Sequence, residues 1–234
     1  MKPIIGIVEW PYVDKDGDYI YEILNPVVEW VNRCGGTPIG IFPTQIAMYV
    51  DTRLRDIRPM NSNERKDLID TLRMCSAIIK PGATKIYDHE RFIYDYVFKN
   101  NMPYLGICAG MQLMASYGKD QIENEKNENN NHHSKATYVH EINILRSSKL
   151  FSILKEDTIM VNSRHNNHIK DSGVQRVCAL SRDNIIEAIE NRNSDFQYGV
   201  QWHPELLPEN DLNSQKLFNG LIESAYQYKK NKRF

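Results

Sequence analysis

The sequence predicts an α/β fold: an open, mostly parallel sheet with helices on both faces, flavodoxin-like, with antiparallel strands added in the C-terminal half. Three observations carry this. Pro3 to Val8 and Thr37 to Phe42 are continuous apolar runs, the pattern of strands buried on both faces, with a helical segment between them. The resulting β–α–β order favours a parallel sheet with right-handed crossovers. From Thr137 the apolar period changes to two, as in Tyr138-Val139-His140-Glu141-Ile142-Asn143-Ile144, and antiparallel pairing is expected there.

Taken in order, Trp10 to Asp18 reads as a polar loop containing Gly17. Tyr21 to Cys34 carries Ile23, Leu24, Val27, Val28 and Val31 at helical spacing and stops at Gly35-Gly36. Gln45 to Asn61 mixes apolar residues with Arg53, Arg55 and Arg58 and is expected to be an ordered excursion near the sheet edge. Asn63 to Met74 is helical, Cys75 to Ile79 a short strand, and Pro81-Gly82-Ala83-Thr84 a turn at its C-terminal end. Asp88 to Asn100 is an amphipathic helix. Lys119 to Lys135 has almost no apolar residues and reads as a mobile surface loop or flap. Val174 to Leu180, Ile185 to Ile189 and Phe196 to Trp202 are further strands, and Leu212 to Tyr228 is a closing helix.

The totals set limits. A chain of 234 residues without a dividing linker is expected to form one domain, 1–234. A formal net charge of −1 recruits neither nucleic acid nor an anionic membrane. The N-terminal apolar run is too short for a signal peptide, and no stretch reaches the roughly 20 apolar residues of a membrane span. Cys34, Cys75, Cys108 and Cys178 are scattered, with neither metal spacing nor disulfide density, so a cytoplasmic protein with free thiols is expected. His132-His133 sits among asparagines, and no third ligand is spaced with the pair. No metal site and no cofactor are expected.

The chemistry centres on Gly106-Ile107-Cys108-Ala109-Gly110. A thiol between two glycines, where a strand becomes a helix, reads as a nucleophile elbow. The turn strains its central residue and crowds the backbone two positions to each side, which requires small residues there. The helix that follows points its positive end at the sulfur, an environment that favours thiolate. A thiolate attacking a carbonyl also needs a base, a group that orients the base, and donors for the oxyanion. His203 is the base candidate. Glu205 is close enough in sequence to accept from the imidazole and fix its tautomer.

These residues resemble the class I glutamine amidotransferase superfamily. The resemblance rests on Pro103-Tyr104-Leu105-Gly106-Ile107-Cys108-Ala109-Gly110-Met111-Gln112-Leu113 and Gly199-Val200-Gln201-Trp202-His203-Pro204-Glu205. Val161-Asn162-Ser163-Arg164-His165 is similar to a segment of the γ-glutamyl-γ-aminobutyrate hydrolase branch, peptidase family C26. The resemblance implies a hydrolase of a γ-glutamyl amide, with Cys108 as nucleophile, His203 as general base and acid, and Glu205 orienting it. It further implies backbone donors for the oxyanion from Ala109 and from Gly82 or Ala83. Gln112, Asn162, Ser163, Arg164 and His165 would lie at the substrate, and His165 and His168 would bind or support rather than catalyse.

The chain also departs from the family pattern. The usual Pro-Gly-Gly, small residue, Asp turn is here Pro81-Gly82-Ala83-Thr84-Lys85, an acid replaced by a base, and Lys80 stands where an apolar residue is usual. The segment from this turn to the elbow is shorter than is typical of the C26 branch. Lys80, Lys85 and Arg164, joined by Arg53, Arg55 and Arg58, would place cations at the mouth of the site. That suits an anionic, phosphate-bearing or nucleotide-linked leaving group. Two other readings stay open: a glutaminase subunit delivering ammonia to a separate synthetase partner, and a non-catalytic binding domain on the same fold.

Overall fold

The computed structural model describes residues 1–13, 15–45, 59–119, 124–126 and 132–231. The cluster Arg53, Arg55 and Arg58, most of the Gln45–Asn61 excursion, and much of the Lys119–Lys135 segment lie outside these residues.

Nine strands form one sheet in the order β4-β1-β5-β6-β13-β12-β11-β8-β9. The first five are parallel: β4 (Thr37–Ile41), β1 (Ile4–Val8), β5 (Ala77–Lys80), β6 (Tyr104–Ile107) and β13 (Gln197–Val200). The last four are antiparallel: β12 (Ile186–Glu190), β11 (Arg176–Ser181), β8 (His140–Ile144) and β9 (Thr158–Val161). The chain is therefore α/β with a mixed sheet, parallel in the half that the N-terminal segments build.

Side chains alternate across each strand, and the two faces fill two separate cores. Ile5, Ile7, Ala77, Ile79, Leu105 and Ile107 point to the face covered by α1 (Asn25–Arg33), α5 (Lys149–Leu154) and α6 (Leu212–Asn231). Ile78 and Tyr104 point to the other, covered by α2 (Ser62–Met74), α3 (Asp88–Lys99) and α4 (Ala109–Ala115). Each large apolar side chain taken fully out of water contributes about 1.5–3 kcal/mol. Among the described residues no helix is long and apolar enough to cross a membrane.

Three local expectations change. Trp10–Val13 is a strand, β2, paired antiparallel with β3 (Tyr19–Glu22), so the predicted loop and the start of the predicted first helix form a hairpin. The helix begins only at Asn25, where Pro26 fits the first turn because its missing N–H is not needed there. Ile23 and Leu24, assigned by spacing to the helix, instead lie at a cavity wall. In the C-terminal half a helix does interrupt the strands. Ser148 caps α5 by accepting from the Phe151 amide, and buried Glu190 accepts from the amides of Lys149 and Leu150. Within Lys119–Lys135, Asn124–Lys126 is a strand, β7, paired with β10 (Asn167–Ile169).

Candidate active site

Three adjacent parallel strands bring the chemistry together. The register sets Lys80 of β5 beside Gly106 of β6, and Gly106 beside Gly199 of β13. The residues that follow these strand ends are the Pro81–Thr84 turn, Cys108, and His203. In open α/β sheets this C-terminal edge is where ligands bind. Here it opens into a cavity of about 260 Å³ whose wall includes Gly82, Ala83, Thr84, Cys108, Arg164 and His203.

The elbow is strained as its sequence predicts. Cys108 has φ 51° and ψ −104°, a conformation that side chains other than glycine rarely adopt. Its amide is held by the Val200 carbonyl at 2.7 Å, which locks the turn onto β13. The crowding two positions away is real. A Cβ at Gly106 would lie 2.5 Å from the Gly110 carbonyl, and one at Gly110 would lie 2.2 Å from the Lys80 carbonyl oxygen.

His203 is buried and turns Nδ1 to Glu205 Oε1 at 2.7 Å. It shares the cavity wall with Cys108. Burial alone pushes this imidazole down. The charges and hydrogen bonds of Glu205 and Cys108 outweigh burial and push it up to about 10. Glu205 is itself buried, at the start of a 3₁₀ turn over Pro204–Leu206. Gly82 lies against both reacting groups: a Cβ there would stand 2.8 Å from His203 Cε1 and 3.5 Å from Cys108 Cβ.

The remaining predicted residues divide sharply. Arg164 is at the cavity wall. Asn162 is buried and clamps the His203 backbone twice: its Nδ2 donates to the carbonyl at 2.7 Å, and its Oδ1 accepts from the amide at 2.8 Å. Ser163 donates to the His132 carbonyl at 2.8 Å. Gln112 approaches Gln201 Oε1 and the Asn167 carbonyl, both at 3.4 Å, and accepts from Asn124. His165 turns away from the cavity toward Glu187.

Two cations leave the predicted mouth. Lys80 is 1% exposed and pairs with Glu90 at 2.8 Å, donating also to the Pro81 carbonyl. Strand alternation is the reason: Lys80 shares a face with Ile78 and points under α3, not out of the strand end. Lys85 lies over the Tyr87 ring, 5.3 Å from its centroid, and is not at the wall.

The sequence reading missed other contributors. Gln201 Nε2 reaches Cys108 Sγ at 3.4 Å. Its position two before His203 was the available signal. Trp10 and Glu22, from the unforeseen hairpin, also wall the cavity. A second cluster joins His132 and His165 to His140 and Glu187, which the sequence does not mark as candidates. His132, His140 and His165 surround the buried carboxylate of Glu187. Burial pushes that carboxyl up, and the three imidazoles facing it more than offset burial, so it lies well below the usual range.

Residues 80–205, more than half of the chain, match the peptidase C26 family, and the chain belongs to that family. Its fold is that of glutamine amidotransferase domains. Protein NtpR of Enterococcus hirae is 30% identical over 149 residues, covering 57% of this chain and 60% of that one. The glutamine-hydrolyzing GMP synthase of Dictyostelium discoideum is 28% identical over 202 residues, covering 76% of this chain but 26% of that one. The chain thus spans about 60% of the first relative and a quarter of the second. In fold it resembles the glutaminase domain of Trypanosoma brucei CTPS with bound acivicin. The TM-score is 0.67 at 17% identity, over 96% of this chain and 94% of that one.

Proposed function

We propose that the chain hydrolyses a γ-glutamyl amide through a covalent glutamyl thioester on Cys108. The observation that carries this is the convergence of Cys108, His203 and the Gly82 turn on one cavity, with Glu205 buried behind His203. Cys108 Sγ attacks the γ-carbonyl carbon. The oxyanion is received by the backbone amides of Ala109 and of Gly82 or Ala83. His203, carrying the proton, gives it to the leaving nitrogen as the C–N bond breaks. The neutral imidazole then takes a proton from water, whose oxygen attacks the thioester and releases glutamate and the thiolate. Glu205 holds the imidazole in orientation and offsets its charge throughout. Among the described residues, the cavity wall carries one carboxylate, Glu22, and one guanidinium, Arg164. These complement the α-ammonium and α-carboxylate of a glutamyl head.

The leaving group is the finer part of the reading. With Lys80 and Lys85 off the wall, Arg164 alone among the described residues of the predicted cationic mouth supports an anionic one. A nucleotide-linked phosphoramidate, as in a γ-glutamyl-CDP-amidate of capsule polysaccharide biosynthesis, therefore rests on that residue and on the sequence resemblance. The likeness to the glutamine-hydrolyzing synthase favours the second reading, a glutaminase that passes ammonia to a synthetase. A working Cys108 thiol fits a cytoplasmic, reducing setting.

The purified chain is assayed for glutamate release from glutamine and from a panel of γ-glutamyl conjugates. The standalone reading expects turnover of a conjugate at rates well above glutamine. Activity on glutamine that rises only when a synthetase is added would replace it with the glutaminase reading.

A further inference from the structure

We propose that His132, His140 and Glu187, with His165 beside them, form a binding site for one divalent transition-metal ion of the zinc class, separate from the cavity. The expectation of no metal site rested on the lack of a third ligand near His132-His133 in sequence. The fold supplies that ligand and more from three other segments.

Each imidazole turns a ring nitrogen to the same oxygen, Glu187 Oε1: His132 Nδ1 at 3.5 Å, His140 Nε2 at 3.0 Å and His165 Nε2 at 3.6 Å. Candidate ligand atoms of His132, His140 and Glu187 all lie within 4.8 Å of one another. Two of the three separations from Glu187 are long for a good N–H···O bond. They suit the edges of a tetrahedron around zinc, which are about 3.3–3.4 Å long for bonds of about 2.0–2.1 Å.

The surroundings fix the ring tautomers in the required sense. His132 Nε2 lies 2.9 Å from Asp183 Oδ2, and His165 Nδ1 lies 3.2 Å from the Asn167 carbonyl. A carboxylate and a carbonyl only accept, so when an ion takes the inner nitrogens the single proton of each ring sits on that outer nitrogen. The inner nitrogens of His132 and His165, which face Glu187, are then available as ligand atoms. An outer carboxylate or carbonyl on the far nitrogen of a ligating histidine is the usual second layer of a zinc site. Nitrogen-rich ligation selects zinc-class ions over magnesium or calcium.

The ion would act as a structural clamp. His165 follows Asn162, which holds the His203 backbone, and Arg164, which walls the cavity. The His165 amide donates to the His132 carbonyl at 2.9 Å, and the Ser134 amide donates to the Ser163 carbonyl at 2.9 Å. One ion would thus fasten 132–134 and 162–165 to strands β8 and β12.

The test uses the full chain carrying Cys108→Ala, which removes the other thiol–imidazole pair able to trap zinc. Metal content is measured after dialysis against Zn²⁺, affinity by competition with a chromogenic chelator, and geometry by the visible spectrum of the Co²⁺ form. The expected result is one ion per chain, a tetrahedral Co²⁺ spectrum and a Tm that rises with Zn²⁺ concentration. Binding is lost in His132→Ala/Glu187→Gln. Asp183→Asn, at a half-exposed position that need not disturb folding, weakens affinity about 10–100-fold. No retained ion, or Asp183→Asn binding as tightly as its parent, overturns the proposal. The readout is independent of turnover, so its failure leaves the hydrolase reading standing.

Discussion

Two of the buried imidazole–carboxylate arrangements among the described residues, one at Glu205 and one at Glu187, differ in how they are built. At His203–Glu205 one ring meets one carboxylate from two residues away, and the pair opens onto a cavity beside Cys108. At Glu187 three rings from three distant segments close around one carboxylate that is 0% exposed. The first leaves one ring nitrogen free to exchange a proton with a neighbour. The second spends its inner nitrogens on a shared centre. A local pair facing a cavity suits chemistry, and a convergent closed cluster suits holding the fold.

Breaking each carboxylate should separate the two roles. Glu205→Gln should lower glutamate release by about 10²–10⁴-fold, the loss expected when an oriented base keeps its place but loses its charged partner. It also changes the pH response. The imidazole of His203 is raised in the folded protein from 6.5 to about 10. Its stabilising contribution is whole below the ordinary value and is lost as pH rises through about 10. Urea unfolding across that window should show wild-type stability declining toward the alkaline end, with the decline moved to lower pH in Glu205→Gln.

Glu187→Gln should act on folding instead. Removing one partner of a buried charged cluster costs about 3–5 kcal/mol. Equilibrium unfolding should show that loss, and kcat of the folded fraction should change far less than in Glu205→Gln. Equal losses of rate in the two variants would erase the distinction.

The cations give a smaller contrast. Arg164→Ala, at the wall, should raise KM about 10-fold or more, as loss of a charge-assisted contact does. Lys85→Ala, half-buried over Tyr87 and off the wall, should leave KM for any γ-glutamyl substrate nearly unchanged. Matched effects would restore the wider cationic mouth expected from sequence.

The same contrast explains what could be read in the chain beforehand. Cys108 between Gly106 and Gly110, and His203 two before Glu205, are local patterns whose geometry follows from a few consecutive dihedrals. The parallel strands were visible because they are buried on both faces and read as apolar runs. Glu187 sits in the predicted strand Ile185–Ile189, with Glu190 just after it, and nothing local marks either carboxylate as buried; both are, because α5 and the histidines supply partners from elsewhere. Lys80 was placed at the mouth by its position at a strand end, while strand alternation turns it toward Glu90. The β2–β3 hairpin was obscured because Ile23 and Leu24 extended the helical spacing backward past Pro26. Partners supplied through tertiary contacts leave no local trace, and the cavity wall and the histidine cluster are made of them.

The most direct test of the hydrolase account is to trap its intermediate. The chain is mixed with a γ-glutamyl substrate that it turns over, quenched in acid within the first turnovers, digested and examined by mass spectrometry. The account predicts one glutamyl group on the peptide that contains Cys108, absent from Cys108→Ala, which should also lose glutamate release by about 10⁴-fold or more. Steady glutamate release by Cys108→Ala at the wild-type rate, with no adduct on that peptide in the wild type, would contradict it.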